Sequence, residues 1–211
     1  MMKSVLHNLC DKYPDLAGCI PDIEAAVTLL DVSFRNGGKL LLCGNGGSAA
    51  DCEHIVGELM KGFMSKRSLP DNLKQRLRSF FPDEGDILYD NLQGALPAIS
   101  LVSHSALFTA YANDVSAEMV FAQQVYGYGR TGDVLLGLTT SGNSPNIIRA
   151  MQVAKATGVK TIALTGRAGG RVKLLCDVCI RVPYDSTPDI QERHLPIYHA
   201  ICMMLEEAFF S

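Results

Sequence analysis

Residues 40–58 read LLLCGNGGSAADCEHIVGE. An apolar run meets a glycine-rich turn, and a segment with helical spacing follows. The order predicts a strand, a tight turn and a helix. Gly44, Gly46 and Gly47 let backbone N–H groups approach a ligand closely, and the N-terminus of the following helix favours an anion. GNGGS lacks the lysine of a P-loop and the spacing of a dinucleotide fingerprint. By itself it fits a plain strand-to-helix turn as well.

The flanks extend the pattern. Residues 21–36 (PDIEAAVTLLDVSFRN) predict a helix: Pro21 stands near its first turn, and apolar residues recur at Ile23, Ala26, Val27, Leu30 and Phe34. Gly37 and Gly38 end it. After KLLLC come four more short apolar runs, AISLVS (98–103), DVLLGLT (133–139), KTIALT (160–165) and DVCIRV (177–182), mostly separated by helical periodicity such as 144–158. Strands of continuous apolar character alternating with helices imply a parallel sheet covered on both faces. A last helix is expected from Pro188 to Phe209, capped by Ser186 or Thr187.

With 211 residues, 47% hydrophobic and 19% charged, the chain suits one α/β domain rather than a disordered segment. A formal charge of −3 offers no basic field for nucleic acid. No apolar run approaches the roughly 18 residues of a membrane span. The N-terminus, MMKSVLHNLCDKYPDL, has no apolar core of a signal peptide. Seven scattered cysteines fit reduced thiols in a cytoplasm. Cys176 and Cys179 form a C-x-x-C, which is expected to be structural, because DVCIRV reads as a buried strand and free cysteine packs as a small hydrophobe.

Residues 61–94 break the alternation with six Lys/Arg and five Asp/Glu. Two short helices are expected, near 71–80 and 85–92, with Pro82 between them. A connection this long usually carries structure or function of its own.

The second turn, TTSGNSPN, gathers the hydroxyls of Thr139, Thr140, Ser141 and Ser144 around Gly142 at another helix start. One hydroxyl is a helix cap; four within six positions suit a phosphate monoester held by hydrogen bonds. His54 and Glu58, at i and i+4, share one helix face in the second turn after GNGGS. The C-terminal helix adds Gln191, Glu192, His194 and His199. Gln191 and His199 are roughly 80° apart around it. Asn113 and Asp114, in YANDVSAE, fit a turn or a helix cap as well as a site.

CGNGGSAAD, GDVLLGLTTSGNSPNII, ALTGRAGG and IQERHLPIYH together resemble the sugar isomerase (SIS) domain, and H-x-x-x-E with I-Q-E-x-H-x-x-x-x-H resembles its phosphoheptose isomerase group. The resemblance covers most of the chain in order. It implies a single flavodoxin-like SIS domain, a three-layer αβα sandwich on a five-stranded parallel sheet; this chain is expected to add an N-terminal helical segment (1–37) and a helical insertion (about 61–94). It implies a homotetramer with active sites between subunits. Phosphate would be held by Ser48, Thr139, Ser141 and Ser144, with Asn45, Gly46, Gly47, Thr140, Asn113, Asp114 and Gln191 also on the substrate. Some members bind zinc through residues matching His54, Glu58, Gln191 and His199; no nucleotide cofactor is implied. The implied reaction is aldose–ketose isomerisation of sedoheptulose 7-phosphate through an enediol(ate), with Glu58 as base and His199 as acid.

Two features depart from the family. The 61–94 link is longer than usual, which leaves a different phosphosugar open. Pro196 stands between Gln191 and His199, where a kink would change how they converge. SIS domains also serve as noncatalytic phosphosugar sensors and as partners of the bacterial replication initiator. Such a module needs the phosphate turns but not the acid–base set.

Overall fold

A computed structural model describes residues 2–210, with side chains from Ser4 onward. Residues 1 and 211, which the expected domain span includes, lie outside the described residues. Helices α1 (Met2–Lys12) and α2 (Ile20–Arg35) precede β1 (Leu40–Gly44) and α3 (Gly47–Met60). The insertion forms α4 (Asp71–Phe80) and α5 (Gly85–Asn91), after which come β2 (Ala98–Ser100), α6 (Ser105–Tyr111) and α7 (Val120–Tyr128). The rest is β3 (Val134–Leu138), α8 (Pro145–Ala156), β4 (Lys160–Thr165), β5 (Val178–Arg181) and α9 (Thr187–Phe210).

The five strands pair in the order β2-β1-β3-β4-β5, every pair parallel. Alternate residues of one strand feed two separate cores, because successive side chains leave opposite faces. Leu40 and Leu42 join Val27, Leu30, Ile55, Leu59, Ile197 and Leu205 on one face; Leu41 and Cys43 join Phe121, Val125, Ile147 and Met151 on the other. The result is the expected αβα sandwich. Helix α3 leaves β1 toward the first face and α8 leaves β3 toward the second. β1 and β3 are neighbours whose chains depart in opposite directions, and in open parallel sheets a ligand crevice opens at the carboxyl ends of such a pair.

Some expectations need correction. β2 is only three residues long, with Leu101 and Val102 already in a turn. β5 is an edge strand, and it leaves Cys176 and Cys179 half-buried rather than in the core. Helix α9 is continuous through Pro196.

The insertion packs mainly on itself. Arg78 Nε donates to Asp86 Oδ1 (2.7 Å), joining α4 to α5, and no residue of α4 is buried. Its root is firmly held. Arg67, 1% exposed, donates from Nε to Glu206 Oε1 of α9 (2.8 Å) and from Nη1 and Nη2 to Leu59 O and Glu58 O (2.6 and 2.7 Å). Arg67 thereby satisfies carbonyls that the end of α3 leaves unpaired. Glu206 also accepts from the N–H groups of Phe63 and Met64 (both 2.8 Å). Burial alone would raise its carboxyl; these donors and Arg67 hold it below its ordinary value.

Candidate active site

Both glycine- and hydroxyl-bearing turns sit at the carboxyl ends of β1 and β3. Asn45 and Asn146 tie them together with two amide hydrogen bonds, each 2.9 Å. In the first turn a Cβ on Gly47 would stand 2.8 Å from Nε2 of Gln191, so only glycine lets the α9 amide lie across the start of α3. Ser48 is buried beneath this turn.

In the second turn Gly142 has φ +67°, and a Cβ there would meet the backbone of Gly169 and Gly170. Thr139 Oγ1 and Ser144 Oγ are 3.0 Å apart, and Ser141 Oγ accepts from the N–H of Asn143 (3.1 Å). Ser144 is the N-cap residue of α8 yet makes no side-chain cap bond. Its hydroxyl faces Thr139 instead, so the two hydroxyls form a pair beside a helix N-terminus whose N–H groups favour an anion. Thr140 lies between them, its carbonyl accepting from Gly166 N–H (3.0 Å).

The face of α3 brings the acid–base residues together as the i, i+4 spacing requires. His54 Nε2 lies 3.2 Å from Glu58 Oε1, and Lys61 Nζ lies 3.4 Å from Oε2. His199 arrives from α9 with its ring centroid 5.1 Å from that of His54, at 84°. Burial, and then the neighbouring His54, push the His199 imidazole below its ordinary pKa. Its Nε2 is buried and has no hydrogen-bond partner among the described residues. Phe63, at the insertion root, covers the other side of this ring at 5.3 Å.

Two further residues complete this cluster, and neither carries a separate signal of its own in the sequence. Tyr198 hydroxyl lies 3.1 Å from His54 Nδ1 and donates to Asp51 Oδ1 (3.1 Å). Asp51 and Tyr198 are easily overlooked in sequence, since an Asp near a helix start reads as a helix-dipole partner and a Tyr beside apolar residues reads as core. Burial raises the Asp51 carboxyl, and the Tyr198 hydrogen bond opposes it. His194, by contrast, is fully buried away from the cluster; burial pushes its imidazole down to about 4, only partly opposed by the Thr165 backbone.

Imidazole and carboxylate donors suit zinc, though an amide oxygen is less usual. In this arrangement the four expected ligands do not form a ligand set. Both ring nitrogens of His54 are engaged, by Tyr198 and Glu58, and the Gln191 amide rests on Gly47. Among the described residues no group of three or more His, Cys, Asp or Glu is disposed to hold a metal ion.

Asn113 and Asp114 occupy a π-helical turn (Ala112–Ser116), both exposed and bonded to each other (2.9 Å). No hydrogen bond joins them to either turn among the described residues. A cleft of about 410 Å³ between α1 and α9 reaches His199, lined also by Leu9, Tyr13 and Pro196, and contains none of the turn residues.

The sheet order, the two tied turns and the cluster around His54 and Glu58 are the arrangement expected of a SIS domain. Residues 19–79 and 91–166 match the SIS domain family, the gap falling inside the α4–α5 insertion. The chain is 35% identical over 210 residues to a phosphoheptose isomerase of Rhodospirillum rubrum, covering 100% of this chain and 98% of the relative. It is 43% identical over 177 residues to that of Nitratiruptor sp., covering 84% and 81%. The solved phosphoheptose isomerase of Neisseria gonorrhoeae superposes with a TM-score of 0.74 at 31% identity, covering 97% and 98%. The chain belongs to the SIS domain family, in its phosphoheptose isomerase group.

Proposed function

We propose that this chain is an aldose–ketose isomerase converting sedoheptulose 7-phosphate to D-glycero-D-manno-heptose 7-phosphate. The observation that carries the reading is one arrangement. Two turns suited to an anion are locked side by side by Asn45 and Asn146, and the helix that starts at the first turn carries Glu58 beside His54 and His199.

Ser48, Thr139, Thr140, Ser141 and Ser144, with the backbone N–H groups of Asn45–Gly47, hold the phosphate and fix the far end of the sugar. Gln191 lies between that anchor and the reacting carbons, and Asn113 and Asp114 close on the substrate from the π turn. Glu58 removes the proton on the carbon beside the carbonyl and returns it to the neighbouring carbon. Its carboxylate is steered by His54 at one oxygen and Lys61 at the other. His199 is held neutral, so its ring N–H serves as the donor to the carbonyl oxygen as charge develops there. Positioned proton transfer of this kind contributes about 10²–10⁴-fold, and a fixed substrate adds the advantage of orientation. The proton transfers are assigned to the side chains of Glu58 and His199.

A homotetramer in the cytoplasm completes the proposal. The exposed imidazole of His54, with its side chain 43% accessible, and the exposed Asn45–Gly47 leave the site open for a partner to cover. The seven cysteines are free, as a reducing compartment favours. No helix among the described residues is long and apolar enough to cross a membrane.

The test is turnover of sedoheptulose 7-phosphate in D₂O by purified protein, with its mass in solution measured alongside. Aldoheptose phosphate carrying solvent deuterium supports the reading. Tight phosphosugar binding without exchange overturns it in favour of a binding protein.

A further inference from the structure

Helix α3 ends at Met60, just after Glu58, and its end is built unlike those of α2, α5 and α8. In those three the backbone N–H after the last helical residue folds back onto a carbonyl of the final turn. At Lys61 the chain instead leaves α3 fully extended, with φ −141° and ψ 173°. The N–H of Gly62 is the ordinary donor to the Glu58 carbonyl, four residues back. It turns away to Gln93 Oε1 (2.7 Å), and the N–H groups of Phe63 and Met64 go to Glu206.

Arg67 supplies the missing donors. Its Nη2 lies 2.7 Å from Glu58 O and its Nη1 2.6 Å from Leu59 O, which also accepts from Leu96 N–H (2.9 Å). The buried guanidinium is itself held in place, by Glu206 Oε1 on Nε (2.8 Å) and by the Phe210 ring at 4.8 Å. Carbonyls at a helix end have no internal partner, and a cation there also favours the helix dipole.

We propose that Arg67 is a positioning residue for the isomerisation. Standing in for the absent backbone cap, it keeps the last turn of α3 helical and so keeps the Glu58 carboxylate against His54, 3.2 Å away. Glu206 serves the acid from the same pair: by accepting from Phe63 N–H it holds the Phe63 ring 5.3 Å from that of His199. The inference rests on Glu58 as the base. The phosphate anchor is separate from it. Ser48 stands roughly 15 Å from Glu58 along the helix axis, so the last turn can loosen while the first keeps its shape.

The test uses the full chain in two variants, each assayed where circular dichroism shows it folded. Arg67→Lys keeps the charge but has no fork to reach both carbonyls and Glu206 together. Arg67→Met/Glu206→Leu leaves no lone buried charge. In both, kcat for sedoheptulose 7-phosphate in D₂O should fall by about 10–10²-fold, with phosphosugar affinity unchanged. Amide exchange over residues 57–61, read by mass spectrometry, should become roughly tenfold faster. The double variant should regain stability over Arg67→Met without regaining turnover. Unchanged exchange at 57–61 overturns the cap, whatever the assay shows. Faster exchange with parental kcat overturns its bearing on the base, and turnover recovered together with stability reduces Arg67 to a structural residue. A parent without turnover overturns the isomerase reading, and with it the base that Arg67 would position, while exchange still decides the cap.

Discussion

Tyr198 and His54 meet through a hydrogen bond of 3.1 Å at Nδ1, and its direction decides which imidazole nitrogen faces Glu58. The single Tyr198 proton goes to Asp51, so the phenol oxygen accepts from His54. That anchors the ring through Nδ1–H and presents Nε2 to Glu58 Oε1 at 3.2 Å. Tyr198→Phe keeps the packing and removes the acceptor. Turnover should fall roughly ten- to hundredfold while KM changes little. Steady-state kinetics check the split; an unchanged kcat would remove Tyr198 from the positioning of His54.

Glu58→Gln keeps the shape of the side chain and loses the base. Phosphosugar binding by calorimetry should persist, while deuterium exchange drops by about 10²-fold or more. Full activity in this variant would sink the proton-transfer assignment.

The double variant Ser141→Ala/Ser144→Ala strips hydroxyls from the second turn and leaves Thr139 in place. It should weaken every phosphosugar and inorganic phosphate alike, by about 1–3 kcal/mol in total. Calorimetry with both ligands measures it. Equal affinity to the parent would place the anion elsewhere.

His194 links stability to pH. Its folded value of about 4 lies below that of an unfolded histidine, so the unfolded chain binds more protons between the two values. The stabilisation is complete above the unfolded value and is lost as the pH falls toward 4. Between pH 7 and 5 this residue should cost about 2 kcal/mol. Urea unfolding of the parent and of His194→Leu at both pH values isolates the difference; equal losses would show that His194 is not the linked group.

Arg67→Met leaves Glu206 as an unpaired buried carboxylate and frees the carbonyls at the end of α3. Stability should drop by about 3–5 kcal/mol, read from urea midpoints. Arg67→Met combined with Glu206→Leu should recover much of the loss, because no lone charge remains. A single variant as stable as the parent would contradict this account.

Local sequence carried a large part of the architecture. Alternating apolar runs and helical periodicity announced the five strands and the αβα layering, since burial on two faces forces that pattern. The i, i+4 spacing of His54 and Glu58 put them on one face before any tertiary contact. The insertion helices were legible from Pro82 and the charge pattern around it. Contacts between distant segments were not legible. Arg67 looked like one more solvated charge in a charged stretch, and only the fold buries it against Glu206.

The sequence by itself determined the class of fold, the two turns and the chemistry of the side chains near them, because each follows from residue type and short-range spacing. The tertiary structure alone decided that Asn45 locks to Asn146, that His199 comes to rest beside His54, and that Asp51 and Tyr198 orient that ring. It also decided that Cys179 lies half-buried on the edge strand β5. These relationships join residues up to 147 positions apart, and no local pattern records them. They exist because strand order and helix packing bring the segments together, where hydrogen-bond geometry and burial set what each side chain does.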